Sequence, residues 1–556
     1  MSTKNILIVG LTAVLAVSVG VNIYQHRSSR SIITKIKNTE GLFNLNFTDA
    51  ERDSLKDDVV GYTEKYKAIH SFNIPNDLPP ALVFVPFPAG YSPNFECNKT
   101  DFDIPNKVIL PENRESLCFY TVAELSHLVK SQQISSLELT QLFLDRLKKY
   151  DPELFCVITL LEDRAIEQAK AMDAELKLGK YRGPLHGIPY GVKDLLALKD
   201  FPFTFGSAIY KDQIASLTSP VIEKLDKAGA VLVAKLTLGE LAWGDVWFGG
   251  TTRNPWNTER GSSGSSAGSA SATAAGLVAF AIGSETWGSI VSPSTVCGVT
   301  GLRPTFGRVS RTGAMALSWS MDKIGPICRT AQDCAIVLNT ISGIDGIDPT
   351  LVEMPLNINL KADYNKLRVG FTNDYFSANY PFKSNDSLVL ATLKDLGVEL
   401  IPIQLPEHLP MSALSIILDV EAAAAFSDLT LTNMDDMMVR QGKVAWPNFF
   451  RKARFVPAVE YIQANRIRTK LIEEFENIFN EVDVIVTPSF VGNQLLMTNL
   501  IGHPALSIPS GFTSANLPTS ITFIGNWFRE DNLLLLGKAY QDKTQWYRQT
   551  PQGFTP

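Results

Sequence analysis

The stretch GSSAGSASATAAGLVAFAIGSETWGSI, residues 264–290, decides how the rest of the chain is interpreted. It joins Gly/Ser-rich turns to the apolar run ATAAGLVAFAIG, and it contains several serines but no histidine. Its composition alone is typical of a flexible linker. A solvated linker has no use for the apolar run, however, and Gly and Ser inside an apolar frame indicate close approach of backbones in a buried region.

A nucleophile elbow is another interpretation, because residues 264–268 match the pattern GxSxG with Ser266 as the nucleophile. His408 and His503 are conceivable bases for it. In such an elbow the serine follows a hydrophobic strand. The residues that precede it here, TTRNPWNTERGSS (251–263), are polar and turn-forming, so this interpretation rests on the bare pattern.

Composition and charge narrow the class of partner. The chain has 51 Lys and Arg against 57 Asp and Glu, a formal net charge of −6, which is too balanced to suggest a nucleic-acid surface. The cysteines show no CxxC spacing and the histidines no HExxH pattern, so we predict neither a metal site nor a cofactor. The expected partner is a small molecule, and the sequence does not indicate an oligomeric state.

The N-terminal region predicts membrane targeting. Residues 6–21 (ILIVGLTAVLAVSVGV) are apolar or small and carry no charge, and residues 22–24 can extend the run toward spanning length. A buried core helix is the alternative, but the segment is N-terminal and lacks an amphipathic face. We therefore predict a membrane-anchored or exported protein with a signal-anchor or signal peptide over residues 1–30.

The remaining chain divides into two predicted parts, an extension of helix and Pro-rich loop over residues 31–112 and one large domain over 113–556. Helix starts are predicted by capping boxes at 48–51, 121–124 and 135–138, and by the Ser219-Pro220 pair. Buried strands are predicted at VLVAKL (231–236) and VDVIVTP (482–488). LRVGFT (367–372), a helical segment and VELIPI (398–403) form a predicted βαβ unit, so the fold class is α/β.

Several separated segments resemble the amidase signature family in their order and spacing. They are GPLHGIPYGVKDLL (183–196), RNPWNTERGSSGSSAGSASATAAG (253–276), GSETWGSI (283–290), CGVTGLRPTFGRVSRTG (297–313) and NLIGHPALSIPSGF (499–512). The resemblance extends over roughly residues 117–545, and agreement of several ordered motifs is far more specific than any single motif. It implies the amidase signature fold, a large twisted mixed β-sheet flanked by helices, to which this sequence adds an N-terminal hydrophobic helix.

The resemblance also implies the roles of individual residues. The family's catalytic lysine falls on Lys193, its bridging serine on Ser265 and its nucleophile on Ser289, which lies 289 − 265 = 24 residues after the bridging serine. The family places oxyanion-hole donors just before the nucleophile, which here are the backbone N–H groups of Thr286, Trp287 and Gly288. It also has a cis peptide bond before the bridging serine, here Gly264-Ser265 or its neighbour.

A lysine base explains why no histidine is needed, because a neutral amine can activate a hydroxyl. Lowering a lysine pKa from about 10.4 toward 7 requires roughly 4 kcal/mol of destabilised ammonium, which burial can supply. The apolar residues on both sides of Lys193 predict such burial, whereas Asp194 would oppose it if it faced inward.

The chain departs from the family pattern at three positions. The family commonly has two glycines before the nucleophile, and this chain has Trp287-Gly288, where the tryptophan keeps its N–H but resists a positive φ. Its indole is either a core residue or a wall of the acyl pocket. Ser263 and Ala267 also replace glycines that are usual in the family. For Arg303 and Arg308 we predict a structural role, bonding loop carbonyls, rather than carboxylate binding.

The predicted function is hydrolysis of a carboxylic amide C–N bond through an acyl-enzyme on Ser289, with Ser265 bridging to neutral Lys193. The enzyme is thus expected to be an amidase acting on a small-molecule amide. One alternative is the ammonia-generating subunit of a tRNA-dependent amidotransferase, against which the N-terminal hydrophobic segment argues. Another is a catalytically impaired, anchored binding protein, which Trp287 suggests and the intact Lys193 and serines oppose.

Overall fold

A computed structural model describes residues 31–43, 45–70, 75–76, 78, 82–88 and 100–556 of the chain. By its contacts the chain separates into two units, residues 1–78 with 455–458 and residues 79–454 with 459–556. The predicted boundaries at residues 30 and 112 stay predictions.

The first unit contains two helices among its described residues. Residues 31–40 are helical (α1), and α2 runs from Asp49 to His70. The predicted capping box holds, since Thr48 N donates to Glu51 Oε2 at 2.6 Å and Glu51 N donates back to Thr48 Oγ1 at 3.3 Å.

An eleven-stranded mixed sheet forms the centre of the second unit, with the order β1-β3-β2-β8-β10-β9-β14-β15-β13-β11-β12. Its strands are β1 Val157–Leu160, β2 Pro189–Lys193, β3 Val231–Leu236, β8 Phe280–Glu285, β9 Thr300–Arg303, β10 Lys323–Cys328, β11 Val369–Thr372, β12 Leu400–Ile403, β13 Val484–Pro488, β14 Ala505–Phe512 and β15 Pro518–Gly525. The short strands β4 Val246–Trp247 and β5 Gly250–Thr251 pair with each other, as do β6 Arg253–Asn254 and β7 Asn257–Gly261.

Strand direction brings the functional motifs together at the middle of this sheet. β2 runs parallel to both β3 and β8, and β8 is antiparallel to β10. The ends of β2 and β8 therefore meet at one edge, because parallel strands end on the same side of a sheet. β11 is parallel to β12, which confirms the predicted βαβ unit.

Helices cover the sheet, as expected for this layered class of fold. They are α3 Val122–Lys130, α4 Ser136–Leu154, α5 Glu162–Lys177, α6 Pro220–Lys227, α7 Ala267–Ala274, α8 Val291–Cys297, α9 Ala331–Ile341, α10 Asn373–Ser377, α11 Lys383–Asp395, α12 Met411–Leu414, α13 Ile416–Ala425, α14 Ser427–Leu431, α15 Trp446–Ala453, α16 Ala458–Glu481, α17 Gln494–Leu500 and α18 Glu530–Thr544.

Local signals placed most of these elements correctly. Capping boxes at Thr121 and Ser135 start α3 and α4, with both reciprocal bonds formed. α6 begins at Pro220 as predicted, although Ser219 makes no side-chain cap and the proline at the first position sets the helix start instead.

The predicted N-terminal hydrophobic helix falls on residues 1–30, which lie outside the described residues. Among the residues that are described, no helix has the length and apolar character needed to cross a membrane.

Candidate active site

The serine-rich stretch is a buried part of the domain, so the linker interpretation is wrong. All eight residues of α7, Ala267 to Ala274, are buried, and β8 follows directly with Phe280, Ala281 and Ile282 fully buried. Small side chains suit this position because other backbones come close. A Cβ on Gly268 would lie 2.4 Å from the carbonyl oxygen of Cys156.

The structure does not support a nucleophile elbow at Ser266. The preceding segment is the two-stranded ribbon of β6 and β7, which is not part of the large sheet. Ser266 Oγ instead donates to the carbonyl oxygen of Ser284 at 3.0 Å. His408 is exposed beside Glu474, and His503 is buried with Nδ1 at 2.8 Å from the Gly525 carbonyl, so neither approaches Ser266.

Lys193 ends β2 inside a cage of serine oxygens contributed by α7 and β8. Its Nζ lies 2.8 Å from Ser265 Oγ, 3.1 Å from Ser266 Oγ, 2.9 Å from Ser284 Oγ and 3.4 Å from the Ser284 carbonyl oxygen. Ser266 uses its own proton on the Ser284 carbonyl, so toward Lys193 it can only accept. A neutral amine has two N–H donors and one lone pair, and this cage offers partners for all three.

Burial changes the charge state of this lysine. Lys193 has 0 % exposure, and desolvation lowers its pKa to about 7, although the carboxylates of Asp322 and Glu285 raise it. The predicted value near 7 is therefore confirmed, with the predicted cause.

Asp194 does not oppose the shift, because it faces away from the cage. Consecutive side chains at the end of a strand point to opposite faces. Asp194 Oδ1 lies 2.5 Å from Lys235 Nζ, and its Oδ2 accepts from the hydroxyl of Thr204 at 2.5 Å. This buried ion pair keeps the Asp194 charge on a partner of its own.

The two predicted catalytic serines lie on adjacent loops. The Gly264-Ser265 peptide bond is cis, at one of the two positions that the family resemblance allows. The Ser266 amide donates to the Ser289 carbonyl oxygen at 3.2 Å, which joins the loops, and Ser265 and Ser289 are 1 % and 8 % exposed. Among the residues described, no hydrogen bond joins the side chains of Ser265 and Ser289.

Four consecutive backbone amides, Thr286 to Ser289, donate to no acceptor in the part of the chain that the structure describes. Preorganised free N–H groups beside a nucleophile are what an oxyanion hole requires. The only positive φ in this loop is at Gly288, where φ is +88°, so Trp287 does not have to adopt a conformation that its side chain resists. Ser263, which replaces a usual glycine, does take a φ of +60°.

A buried carboxylate closes the loop that carries Ser289. Glu285 Oε2 accepts from the amides of Ile290 and Val291 at 2.8 and 2.9 Å. Its Oε1 accepts from Arg303 Nη1 at 2.6 Å and from Asn499 Nδ2 at 2.7 Å. Burial raises the pKa of Glu285, but Arg303 and these N–H donors outweigh it and lower the pKa to about 2.

A second buried carboxylate supports the other side of the loop. Asp322 Oδ1 accepts from Thr286 Oγ1 at 2.6 Å, and its Oδ2 accepts from the amides of Leu317 and Ser318 at 2.8 and 3.0 Å. The same carboxylate is the largest electrostatic influence that favours charge on Lys193.

Sequence reasoning missed Ser266, Ser284, Glu285 and Asp322. Glu285 gave a signal, because an acidic residue inside an apolar strand needs buried donors. The predicted structural role of the arginines is confirmed: Arg303 Nη2 donates to the His503 carbonyl at 3.0 Å, and Arg308 Nη2 donates to the Phe528 carbonyl at 3.0 Å.

Comparison with known proteins agrees with this geometry. A family model described as Amidase matches residues 138–534, more than half of the chain. The chain belongs to the amidase signature family. Amidases of this family act on amide C–N bonds, so the protein is an enzyme of that class and the mixed α/β fold is the one expected.

Individual relatives are named for different activities. A glutamyl-tRNA(Gln) amidotransferase A-type subunit of Coxiella burnetii is 35% identical over 482 residues, covering 78% of this chain and 99% of the relative. A peptide amidase of Stenotrophomonas maltophilia has a TM-score of 0.69 at 29% identity, covering 78% of this chain and 98% of that one. The corresponding amidotransferase subunit of Thermotoga maritima has a TM-score of 0.64 at 25% identity, covering 80% and 96%.

These findings correct the predicted localisation. The membrane-anchored or exported protein expected from residues 6–21 is not supported, since the curated relatives are named as amidotransferase subunits. The apolar run is about 16 residues, short of the ~20 that a helix needs to span a bilayer, and its extension passes through polar Asn22. The segment itself lies outside the described residues.

Proposed function

We propose that this amidase signature enzyme cleaves a carboxylic amide through an acyl-enzyme on Ser289, with Ser265 as the bridging hydroxyl and Lys193 as the base. The observation that carries the proposal is the contact of the Lys193 amine, whose pKa burial lowers to about 7, with Ser265 Oγ at 2.8 Å. An amine that is neutral at working pH can accept a hydroxyl proton, which an ammonium cannot.

Proton transfer then runs along one line. The Ser265 hydroxyl gives its proton to Lys193 as it takes the proton of Ser289, and Ser289 Oγ attacks the amide carbonyl. The Ser265 and Ser289 side chains must approach each other for this step, and such contacts often tighten only when substrate is bound. In reverse, the relay protonates the leaving amine, and water then releases the acid from Ser289.

The amides of Thr286, Trp287 and Gly288 would stabilise the negative oxygen of the tetrahedral intermediate. Their freedom from acceptors among the described residues supports this role, since an occupied donor would first have to be released. Loss of one oxyanion donor typically costs ~10²–10³ in rate.

The curated relatives favour a particular version of this chemistry. Their name, a subunit of glutamyl-tRNA(Gln) amidotransferase, suggests that the chain releases ammonia from an amide for use by an assembly with other subunits. The 29% identity to a peptide amidase supports a free-standing amidase instead. The shared step is cleavage of an amide C–N bond on Ser289.

The direct test measures amine or ammonia released by the purified chain from glutamine, a peptide amide, an aryl amide and a fatty amide. Ser289→Ala is the matched control. Release from at least one amide that Ser289→Ala abolishes supports the proposal, and release that Ser289→Ala leaves intact contradicts it.

A second measurement separates the two versions. If the chain is an amidotransferase subunit, purification from its own cells should bring other subunits with it, and glutamine cleavage should rise when they are present. A chain that purifies alone and turns over a peptide or aryl amide at full rate supports the free-standing amidase.

A further inference from the structure

The side chain of Trp287 stands out from the loop that carries the proposed nucleophile. Its neighbours are buried, with Thr286 at 7 %, Ser289 at 8 % and Ile290 at 0 % exposure, whereas Trp287 is 43 % exposed. All eight tryptophans of the chain lie in the part that the structure describes, and Trp287 alone among them has an exposed side chain.

The indole of Trp287 has no structural task that accounts for its presence. Within the described residues no aromatic ring packs on it and its Nε1 donates to no acceptor, in contrast to Trp446, which stacks on Phe450 and donates to the Leu241 carbonyl at 3.0 Å. The backbone does not need a tryptophan either, because Gly288 takes the positive φ of the loop. A large exposed apolar side chain in a concave site is what a ligand would cover.

Position brings this indole within reach of a bound substrate. Trp287 precedes Ser289 by two residues, and two residues of chain span at most about 7 Å. An acyl group on Ser289 Oγ, or the amine about to leave, therefore comes within contact distance of an indole on this loop. On the other flank, Leu495 closes the space above Gly288, since its Cδ2 would lie 3.1 Å from a Cβ placed there.

We propose that Trp287 is a specificity-determining residue that stacks on an aromatic ring carried by the amide substrate. The inference rests on the proposed amide cleavage at Ser289 and narrows its substrate class to amides bearing a flat aromatic group. Aromatic rings pair with an indole in offset or edge-on contacts that add to the gain from apolar burial. The backbone N–H of Trp287 remains a separate feature, which any side chain at this position preserves.

The ring can belong to either half of the substrate. An aromatic acyl group would stay beside the indole in the acyl-enzyme, whereas an aromatic amine would leave when the C–N bond breaks. Phenylacetamide carries the ring in the acyl half, acetanilide carries it in the amine half, and hexanamide carries none, so the three amides distinguish the two sources.

The test compares ratios of kcat/KM for the wild type, Trp287→Leu and Trp287→Phe. Trp287→Leu keeps apolar bulk and removes the ring, so the ratio of phenylacetamide or acetanilide to hexanamide should fall about tenfold. Trp287→Phe should restore most of that ratio, because it restores a ring. The amide whose ratio falls identifies the half that carries the ring.

Trp546→Leu is the matched control, since it removes an indole that packs on Phe512 and belongs to no part of the site. It should leave both ratios unchanged. Ratios that are equally unchanged in Trp287→Leu overturn the inference while leaving amide cleavage intact. If wild-type enzyme that labels with a fluorophosphonate at Ser289 hydrolyses no amide at all, the proposed function fails, and this inference fails with it.

Discussion

The Nζ of Lys193 lies 2.8 Å from the Oγ of Ser265, and the two residues are 0 % and 1 % exposed. Between them there is no room for the bulk water that keeps a lysine charged. A proton on this amine is therefore less stable than on an ordinary lysine, and a serine hydroxyl lies where it can donate one. The contact thus supplies both partners of a proton transfer, a neutral acceptor and a hydroxyl donor.

Ser289→Ala should abolish labelling by a fluorophosphonate and reduce kcat by about 10⁴-fold or more, because no nucleophile remains. Ser265→Ala should reduce kcat severely as well, since the relay to Lys193 is cut. Ser266→Ala is the matched control, because Ser266 also touches Lys193, at 3.1 Å, but belongs only to its support. Labelling that is lost in Ser266→Ala and kept in Ser289→Ala would restore the nucleophile elbow.

The pH dependence of kcat/KM should show a limb that rises through about pH 7. The pKa of Lys193 is lowered to about 7 by burial, so below that pH the amine is protonated and cannot act as a base. Activity should fall about tenfold per pH unit under the limb. Lys193→Met should remove the limb along with most of the activity. A limb of unchanged position in the residual activity would reject Lys193 as the base.

Asp322→Asn should move this limb to lower pH by about one unit. The Asp322 carboxylate raises the pKa of Lys193, so its neutralisation lets burial lower that pKa further. Thr286→Val removes the hydroxyl that donates to Asp322 at 2.6 Å but keeps the charge, so it should lower kcat and leave the limb in place. Equal shifts in both variants would mean that loop geometry, not charge, controls the lysine.

Arg303→Met should destabilise the fold by about 3–5 kcal/mol, because it leaves the Glu285 carboxylate buried without its cation. The two side chains are both 0 % exposed and lie 2.6 Å apart. Chemical denaturation measures the change. Lys470→Gln, which breaks the exposed pair with Glu473, should leave the unfolding free energy unchanged within error.

The same pair predicts a pH dependence of stability. The pKa of Glu285 is lowered to about 2 in the folded protein, so the unfolded chain binds a proton first as the pH falls. Its stabilisation is present above about pH 4.5 and is lost between there and about pH 2. In Arg303→Met this acid-dependent loss should shrink, and a loss equal to that of the wild type would assign it to other groups.

Much of the fold could be predicted from local sequence. The capping boxes at Thr121 and Ser135 place helix starts because the bonds involved span three residues. Strands β3 and β13 were predictable from short apolar runs of the right length. The membrane prediction from residues 6–21 failed because apolar composition was weighed more heavily than length.

The sequence by itself determined which residues stand at the site, since Lys193, Ser265 and Ser289 occur in ordered motifs whose spacing the chain preserves. Tertiary structure alone decided their chemistry. The Lys193 amine meets an oxygen of Ser284, 91 residues away, and Glu285 meets Asn499, 214 residues away, through strand order that no local period encodes. A pKa depends on how completely the whole fold excludes water from one amine, and that exclusion exists only after β2, β8 and α7 have packed together.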